Sequence, residues 1–329
     1  MTTSPSDTRT LSPAQTVLVA GGLGFVGSHV ARALVQAGYS PVLFGPPMTE
    51  DRLVDLAGRY QAVEGSIGDR AALDAAFKRF RPGLVVSCVA HSVGRLGLMR
   101  SGESEADAAF EINVVGHGKL IEAAYAAGVR RIVWTSSTVI YGPASDYGAA
   151  HVDEDDQPAP TTVYGLTKQL AEALSVFMVR RHSMEIVGLR LPLILGQGLW
   201  YQGAASAMVD VFAAARDGRE ARVAFHDQPV DLMHVCDVAS AIVAVLRCSG
   251  PLAPVYNLKG VEASIVDLID ELRCVKPGVQ IAFERIAPAL LFPLIDGRRL
   301  EKATGFSPRY DLGALVRDLL IPKPEQIHD

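Results

Sequence analysis

Short apolar runs rich in β-branched residues alternate with longer helical stretches from Thr16 onward, and glycine or proline bounds most of these runs. Such runs, when helices separate them, are typical of parallel strands that are buried on both faces of a sheet. We therefore predict an α/β fold with a doubly wound parallel sheet and a smaller C-terminal lobe. The predicted strand segments are TVLVAGG, SPVLF, YQAVEG, GLVVSCVA, RRIVWTSS and EIVGLRLPLILG.

Helices are predicted between these strands, and the last of them begins near Tyr164. A helix is expected over 25–37, a second near 69–80, and a long helical stretch up to Ala127. After Gly196 the alternation weakens, and we expect this remainder to be interwoven with the sheet. The predicted division is a disordered tail over 1–14, a sheet domain over 15–195 and the C-terminal lobe over 196–329.

The charge balance argues against two classes of partner. A net charge of −5 and a pI near 5.9 provide no basic field for nucleic acid or an anionic membrane. No apolar run has the length of a membrane span. The four cysteines contain no C-x-x-C pair, so neither a zinc site nor a disulfide framework is predicted. We expect a cytoplasmic protein with a small-molecule substrate and no metal.

The first predicted strand runs into a glycine-rich turn, GGLGFVG, which opens the first helix. Gly21, Gly24 and Gly27 suit a tight turn, a close approach of backbone to a pyrophosphate, and close packing of helix on strand. The helix N-terminus adds N–H donors that favour an anion. Glycines also occur in strand–helix turns that bind nothing. This position, directly after the first strand, favours a dinucleotide site that includes Phe25 and Val26.

The end of the second predicted strand bears on the choice of dinucleotide. NAD sites of this type usually place a carboxylate there, where it binds ribose hydroxyls. This chain has Gly45 followed by two prolines, and neither an acid nor an arginine comes immediately after it. The sequence therefore leaves NAD or NADP open as the cofactor.

The segment YGLTK places a tyrosine four residues before a lysine. On a helix, Tyr164 and Lys168 share one face, so the ammonium favours the ionised phenol, whose ordinary pKa is near 10. Ser137, in WTSSTVIYG, ends a predicted strand, where its hydroxyl can hydrogen-bond a substrate oxygen. A tyrosine and lysine at this spacing are common on helix surfaces. Together with Ser137 and the glycine turn, they predict a catalytic set.

The chain resembles the extended short-chain dehydrogenases/reductases, in particular the NAD-dependent epimerase/dehydratase family. The resemblance runs from about Thr16 to about Tyr310. Its segments, in the family's order, are GGLGFVGSH, INVVGHGKLIEAA, WTSSTVIYG, YGLTK, GLRLPLILG, HVCDVASA, VYNL and DGRRLEKATGFSP. It implies that 15–195 is an NAD(P)-binding Rossmann domain and that the protein is an oxidoreductase and, in line with its family, a homodimer.

The resemblance also implies a role for individual residues. Tyr164 accepts or donates a proton, Lys168 holds the nicotinamide ribose, and Ser137 orients the reacting oxygen. Asn113 matches a structural asparagine, and His234 and Asp237 match positions that fix the C-terminal lobe. Further cofactor contacts are implied at Ala90, Leu191 and Pro192.

Departures from the family pattern narrow the substrate. The family's 4,6-dehydratases carry an Asp-Glu pair where this chain has Thr138 and Val139, so dehydration is not expected. Nucleotide-sugar enzymes hold the diphosphate with an asparagine and an arginine where this chain has Leu193 and Val230. Arg285 is the remaining candidate. A buried diphosphate needs paired donors, so we expect a secondary alcohol or ketone without a nucleotide.

The residues expected to contact the substrate come from several segments. They are Ser137, Thr138, His91, Leu193, Trp200 and Tyr201. The apolar run IAPALLFPLI over 286–295 forms either a wall of the substrate site or ordinary packing.

Two other functions stay open: a nucleotide-sugar epimerase with the same catalytic set, and a non-catalytic dinucleotide-binding regulator.

Overall fold

The structure, a computed structural model, describes residues 16–47, 52–199, 203 and 206–321. The tail predicted over 1–14 lies outside the described residues. The strands, in chain order, are β1 (Thr16–Ala20), β2 (Ser40–Gly45), β3 (Gln61–Glu64), β4 (Leu84–Ser87), β5 (Arg131–Ser137), β6 (His151–Val152), β7 (Glu185–Leu191), β8 (Leu193–Leu195), β9 (Ala221–Phe225), β10 (Val230–His234), β11 (Val255–Asn257), β12 (Val261–Ala263), β13 (Ile281–Arg285) and β14 (Leu294–Ile295). The α-helices are α1 (Phe25–Gln36), α2 (Arg70–Phe80), α3 (Leu98–Ser104), α4 (Ala106–Phe110), α5 (His117–Ala126), α6 (Val163–His182), α7 (Ser206–Arg216), α8 (Val235–Arg247), α9 (Ile265–Val275), α10 (Arg298–Thr304) and α11 (Leu312–Leu320).

Seven of the strands form one sheet in the order β11-β7-β5-β4-β1-β2-β3. Every neighbouring pair in it is parallel. The strand order reverses between β1 and β4, and in sheets of this kind ligands bind in the crevice outside the carboxyl ends of the strands there. The doubly wound α/β fold predicted from the sequence is confirmed.

The apolar strands are buried on both faces, as their composition predicts. Successive side chains of a strand point to opposite faces, and those of β1 therefore enter two different cores. Val17 and Val19 join the core that contains residues of α1 and α8, whereas Leu18 and Ala20 join the core that contains residues of α2, α5 and α6. All four side chains are fully buried.

Two elements differ in detail from their predictions. The long helical stretch up to Ala127 is divided into α3, α4, a π-helical segment (Glu111–Gly116) and α5. The first division falls at Glu105, where φ is −138° and the backbone leaves the helical region. The single strand predicted over EIVGLRLPLILG is two strands separated by Pro192, because proline has no N–H for the ladder. After it, β8 pairs with β10 in a separate sheet.

The C-terminal part of the chain contributes to the main sheet. In β11, Val255–Asn257 pairs with Gly188–Arg190 of β7 and forms the outer edge. Helix α8 packs against α1. The domain boundary at 195 stays a prediction. Among the described residues, no helix combines the length and the apolar character needed to cross a bilayer. The cytoplasmic location also stays a prediction.

Candidate active site

The glycine turn forms a tight cradle between β1 and α1. Gly21 has a φ of +73°, which favours glycine, and its N–H donates to the carbonyl of Phe44 at 2.8 Å. A Cβ on Gly27 would lie 2.1 Å from the carbonyl oxygen of Gly21, so no side chain fits there. Gly24 caps α1, whose first turn carries no acidic residue. The turn therefore suits the pyrophosphate of a dinucleotide, which gains from the helix N-terminus.

Position 45 borders this cradle. A Cβ on Gly45 would stand 3.8 Å from both Cα and N of Gly21, an ordinary contact distance. A carboxylate at the end of β2 would therefore lie beside the turn, where an NAD site uses it. With glycine at this position, the end of β2 contributes no charge.

The predicted catalytic residues lie at the carboxyl end of β5 and at the start of α6. Ser137 is the last residue of β5, and its Oγ accepts a hydrogen bond from the Val139 N–H at 3.3 Å. Tyr164 is the second residue of α6. The start of this helix lies against the turn after Ser137, since a Cβ on Gly165 would come within 2.8 Å of the Val139 carbonyl oxygen.

Lys168 is buried below Tyr164. Its Nζ lies 5.7 Å from the centroid of the Tyr164 ring. The same Nζ donates to the carbonyl of Thr135 at 2.8 Å and to that of Val89 at 3.3 Å. Burial lowers the pKa of Lys168 to about 8, against the opposing effect of Cys88 and Glu172. The ammonium is therefore held next to the phenol, with its charge poorly solvated.

Asn113 connects the loop after β4 to the catalytic helix. It lies in the π-helical segment, a type of element that is frequent at functional sites. Its Oδ1 accepts from the His91 N–H at 2.8 Å, and its Nδ2 donates to Thr167 Oγ1 at 3.0 Å. The Thr167 hydroxyl in turn donates to the Tyr164 carbonyl at 2.8 Å. A single buried amide thus fixes the start of α6 relative to β4.

The predicted cofactor contacts border these residues. Leu191 ends β7 and is the register partner of Ser137, so the segment that continues into Pro192 leaves the sheet beside the serine. Ala90 follows Val89, whose carbonyl accepts from Lys168. These positions lie at the same edge of the sheet as the glycine turn.

The predicted substrate contacts are more scattered. The Thr138 hydroxyl donates to the Leu191 carbonyl at 3.3 Å. The ring of His91 lies 3.2 Å from a carboxylate oxygen of Glu105. Leu193 begins β8 and pairs with Leu232 of β10. Trp200 and Tyr201 lie outside the described residues.

The motifs did not reveal a buried ion pair behind the catalytic residues. Glu172 accepts from Ser136 Oγ at 2.6 Å, and from Nε and Nη2 of Arg190 at 3.0 and 2.7 Å. Arg190 also donates to the Tyr141 hydroxyl at 2.6 Å. The pair joins α6 to β5 and β7. One sequence signal was present, since Glu172 stands four residues after Lys168 on the same helical face.

The network continues into the C-terminal part of the chain. The Tyr141 hydroxyl lies 2.8 Å from Asn257 Oδ1, and the Asn257 N–H donates to Glu154 at 2.8 Å. In the acidic segment DEDD over 153–156, Glu154 and Asp155 are paired with Arg299. These acids are therefore engaged in ion pairs and hydrogen bonds. The described residues show no group of three or more potential ligands that could hold a metal ion.

The two residues near the start of α8 hold the C-terminal segment. Asp237 accepts from the backbone N–H groups of Arg309 and Tyr310 at 3.0–3.1 Å. His234 contacts Asp318 at 2.9 Å, and its ring stacks on that of Tyr310. These contacts agree with the structural role expected from the sequence.

Comparison with known proteins identifies the family of the chain. The sequence model described as the NAD dependent epimerase/dehydratase family matches residues 17–258. The chain belongs to this family, as the motifs predicted, and is a nicotinamide-dinucleotide-dependent enzyme of the extended short-chain dehydrogenase/reductase type.

Its relatives differ in their reactions. A UDP-glucose 4-epimerase of Rhizobium leguminosarum bv. trifolii is 28% identical, over 92% of this chain and 95% of the relative. A UDP-glucose 4-epimerase structure from Thermotoga maritima, solved with UDP-glucose, gives a TM-score of 0.79 at 20% identity, covering 93% of this chain and 97% of that one. An L-threonine dehydrogenase from Cupriavidus necator gives 0.78 at 22%, covering 93% and 99%. The two structural likenesses show the fold.

The buried ion pair provides a test of what holds the site together. Glu172→Gln should lower the free energy of unfolding by about 3–5 kcal/mol, because it leaves the charge of Arg190 buried without its partner. Glu111→Gln, which breaks an exposed pair with Lys119, should cost about 0–1 kcal/mol. Urea denaturation followed by circular dichroism measures both. Equal losses in the two variants would show that breaking the buried pair costs no more stability than breaking the exposed pair.

Proposed function

We propose that the protein is an NAD(P)-dependent oxidoreductase that transfers hydride between the nicotinamide and a secondary alcohol or the matching ketone. The observation that carries the proposal is the ammonium of Lys168, buried 5.7 Å from the Tyr164 ring. The first turns of α6 lie against the turn that follows Ser137. A non-catalytic regulator has no need of such a proton relay.

Each residue has a separate task in this reaction. The chemistry that NAD or NADP would supply when bound is hydride transfer at the nicotinamide ring. Tyr164 takes the proton from the substrate hydroxyl, or returns it to the ketone in the reverse direction. Lys168 favours the phenolate by its charge. Ser137, fixed at the end of β5 by the Val139 N–H, holds the substrate oxygen. The glycine turn binds the pyrophosphate.

The positions that differ from nucleotide-sugar enzymes support a substrate without a nucleotide. Leu193 and Val230 lie on paired strands, β8 and β10, and offer no side-chain donor. The guanidinium of Arg285 lies 2.9 Å from the carboxylate of Asp227, so its charge is already matched. Burying a diphosphate beside these residues would leave its charge without paired donors.

The apolar segment 286–295 supports a substrate with an apolar body. The Leu291 carbonyl accepts from the Ala144 N–H at 2.7 Å, so the segment lies beside the loop that follows Ser137. Its end is ordinary core, because Ile295 packs with Ile140 and Tyr141. The preceding residues, from Pro288 to Phe292, are partly or fully exposed. We infer that they form a wall of the substrate site.

The alternative function is a nucleotide-sugar 4-epimerase. The sequence relatives named as UDP-glucose 4-epimerases favour it, and such an enzyme would use the same three residues. The two functions differ in their products. Net production of NADH or NADPH from a secondary alcohol supports the oxidoreductase. Conversion of UDP-glucose to its epimer without net change of cofactor would contradict the oxidoreductase and support the epimerase.

We further propose that the protein is a homodimer that pairs through α5 and α6. On α6, Leu166, Leu170 and Phe177 are 38%, 40% and 57% exposed. Near them in the fold, Val115 and Tyr125 are 45% and 47% exposed. The α6 residues follow helical spacing and form one apolar stripe. A second copy of the chain would bury this surface by a two-fold contact.

Removing the phenol tests the proton relay. Tyr164→Phe should reduce kcat/KM by about 100-fold to 10,000-fold, since it removes the group that moves the proton. Its Kd for NADH or NADPH should stay close to that of the wild type. The matched control is Tyr39→Phe, at the residue before β2 and at the opposite end of that strand from Gly45, which should keep full activity. Full activity in Tyr164→Phe would contradict the mechanism.

A charge at the end of β2 tests the cofactor site. Wild type should bind NADH and NADPH with similar affinity, and Gly45→Asp should weaken NADPH binding by about tenfold relative to NADH. The reason is repulsion of the 2′-phosphate, worth about 1–4 kcal/mol at 4 Å from a carboxylate in a polar setting. Gly45→Asn is the uncharged control. Fluorescence titration measures Kd, and identical ratios in the two variants would place the ribose elsewhere.

Charge in the apolar stripe tests the dimer. Wild type should elute with about twice the chain mass of 35.1 kDa. Leu170→Glu combined with Phe177→Glu should yield the monomer, because the proposed contact would bury two unpaired carboxylates from each chain. Val54→Glu, at an exposed apolar residue outside the stripe, is the control. Light scattering after size exclusion gives the mass. If the double variant were still a dimer, the apolar stripe would not be the dimer interface.

A further inference from the structure

A thiol and two imidazoles meet where α8 begins, away from Tyr164. Cys236 is the second residue of α8, and its side chain is partly exposed. Its Sγ lies 3.6 Å from Nδ1 of His29, which belongs to α1. Its own N–H donates to Nδ1 of His234 at 3.2 Å. The proposed hydride transfer uses none of these groups.

The hydrogen bonds assign the protonation of His29. Nε2 of this ring lies 2.9 Å from the carbonyl oxygen of Gln197. A carbonyl oxygen only accepts, so Nε2 carries the hydrogen, and Nδ1 presents a lone pair to the thiol. The arrangement contains a nucleophile, a base within reach, and a group that orients the base. This is the pattern of an activated nucleophile.

The surroundings also favour the thiolate. Cys236 lies in the first turn of a 13-residue helix, where the dipole stabilises a negative charge. Burial opposes ionisation of this thiol, but contacts with His234 and His29 outweigh it and hold its pKa below the ordinary value. Asp318 and Tyr310 face the cluster on the side of His234.

The other cysteines differ in environment. Cys88 is partly buried, and burial raises its pKa to about 12. Cys248 is directed at the carbonyls of Gly250 and Ala303. Cys274 is the most exposed of the four. Cys274 therefore serves as the reference for Cys236, as a thiol whose reactivity depends only on its exposure to solvent.

We propose that Cys236 and His29 form a reactive thiol–imidazole pair, a site at which hydrogen peroxide modifies the protein and thereby weakens dinucleotide binding. The thiol proton moves to Nδ1 of His29. The thiolate attacks one peroxide oxygen, an S–O bond forms and the O–O bond breaks. The departing hydroxide takes the proton from His29 and leaves as water. Sulfur loses two electrons to the peroxide, and a sulfenic acid remains.

The link to the cofactor site runs through α1 and rests on the proposed dinucleotide binding. An oxygen on Sγ occupies the space of the 3.6 Å contact and displaces the His29 ring. That ring also contacts Phe25, the first residue of α1, with centroids 5.8 Å apart. Gly198, next to Gln197, lies beside Phe25 as well. Displacement of His29 therefore reaches the turn that holds the pyrophosphate.

The first experiment compares the four cysteines within one folded protein. Brief alkylation with iodoacetamide at pH 7, followed by peptide mass spectrometry, should modify Cys236 about tenfold faster than Cys274, because the thiolate is the nucleophile. His29→Phe should remove this advantage, while His151→Phe, at a histidine far from Cys236, should keep it. The wild-type comparison requires no variant to fold. If Cys274 were alkylated faster than Cys236 in wild type, the proposed reactive pair would be wrong.

The second experiment tests the consequence of oxidation. Wild type and Cys236→Ser are treated with hydrogen peroxide, the sulfenic acid is trapped with dimedone, and NADH and NADPH affinities are measured by fluorescence. Trapping at Cys236 with a Kd raised about fivefold in wild type alone supports the proposal. Trapping with an unchanged Kd overturns the link through α1. If untreated protein bound neither nucleotide, the proposed function would fail, and the alkylation ranking would still decide on the pair.

Discussion

The buried ion pair between Glu172 and Arg190 holds together the elements that carry the chemistry. Glu172 lies on the helix of Tyr164 and Lys168, Arg190 lies one residue before the end of β7, and Ser136 adds the strand of Ser137. Two charges removed from water are costly unless each is fully hydrogen-bonded. Here each charge has several partners. The position of α6 over the carboxyl ends of β5 and β7 is therefore determined by hydrogen-bond geometry as well as by apolar packing.

Helix α6 has two faces with different tasks. Tyr164 and Lys168 face inward, where the ammonium donates to one backbone carbonyl of β5 and to one in the loop after β4. Leu166 and Leu170 lie outside this face and are partly exposed. A partner on the outer face would restrict motion of the same helix that positions the phenol. In the proposed dimer, association and catalysis would therefore be coupled through α6, without contact between the partner and the substrate.

The local parts of the site could be predicted from the sequence, and the long-range parts could not. The glycine turn and the Tyr164–Lys168 pair each fall within a few residues, so their spacing reveals their geometry. The contact of Arg190 with Tyr141 spans 49 residues, and that of Cys236 with His29 spans 207. Only the folded sheet brings these residues together. The break at Glu105 was likewise not visible, because the residues around it are compatible with a continuous helix.

The residues that we propose to select the substrate and the cofactor lie at the margins of the site. The proposed catalytic set of Lys168, Tyr164 and Ser137 fits a hydride and proton transfer, and a nucleotide-sugar enzyme can use the same set. Leu193 on β8 lies in the small sheet that adjoins the end of β7, where a diphosphate would lose water without gaining a donor. At the other margin, the end of β2 beside Gly21, position 45 is a glycine and therefore carries no charge. Because Leu193 and Gly45 offer no polar side chain while Ser137, Tyr164 and Lys168 are all present, the sequence supports our proposal of the family's hydride and proton transfer on a substrate without a nucleotide.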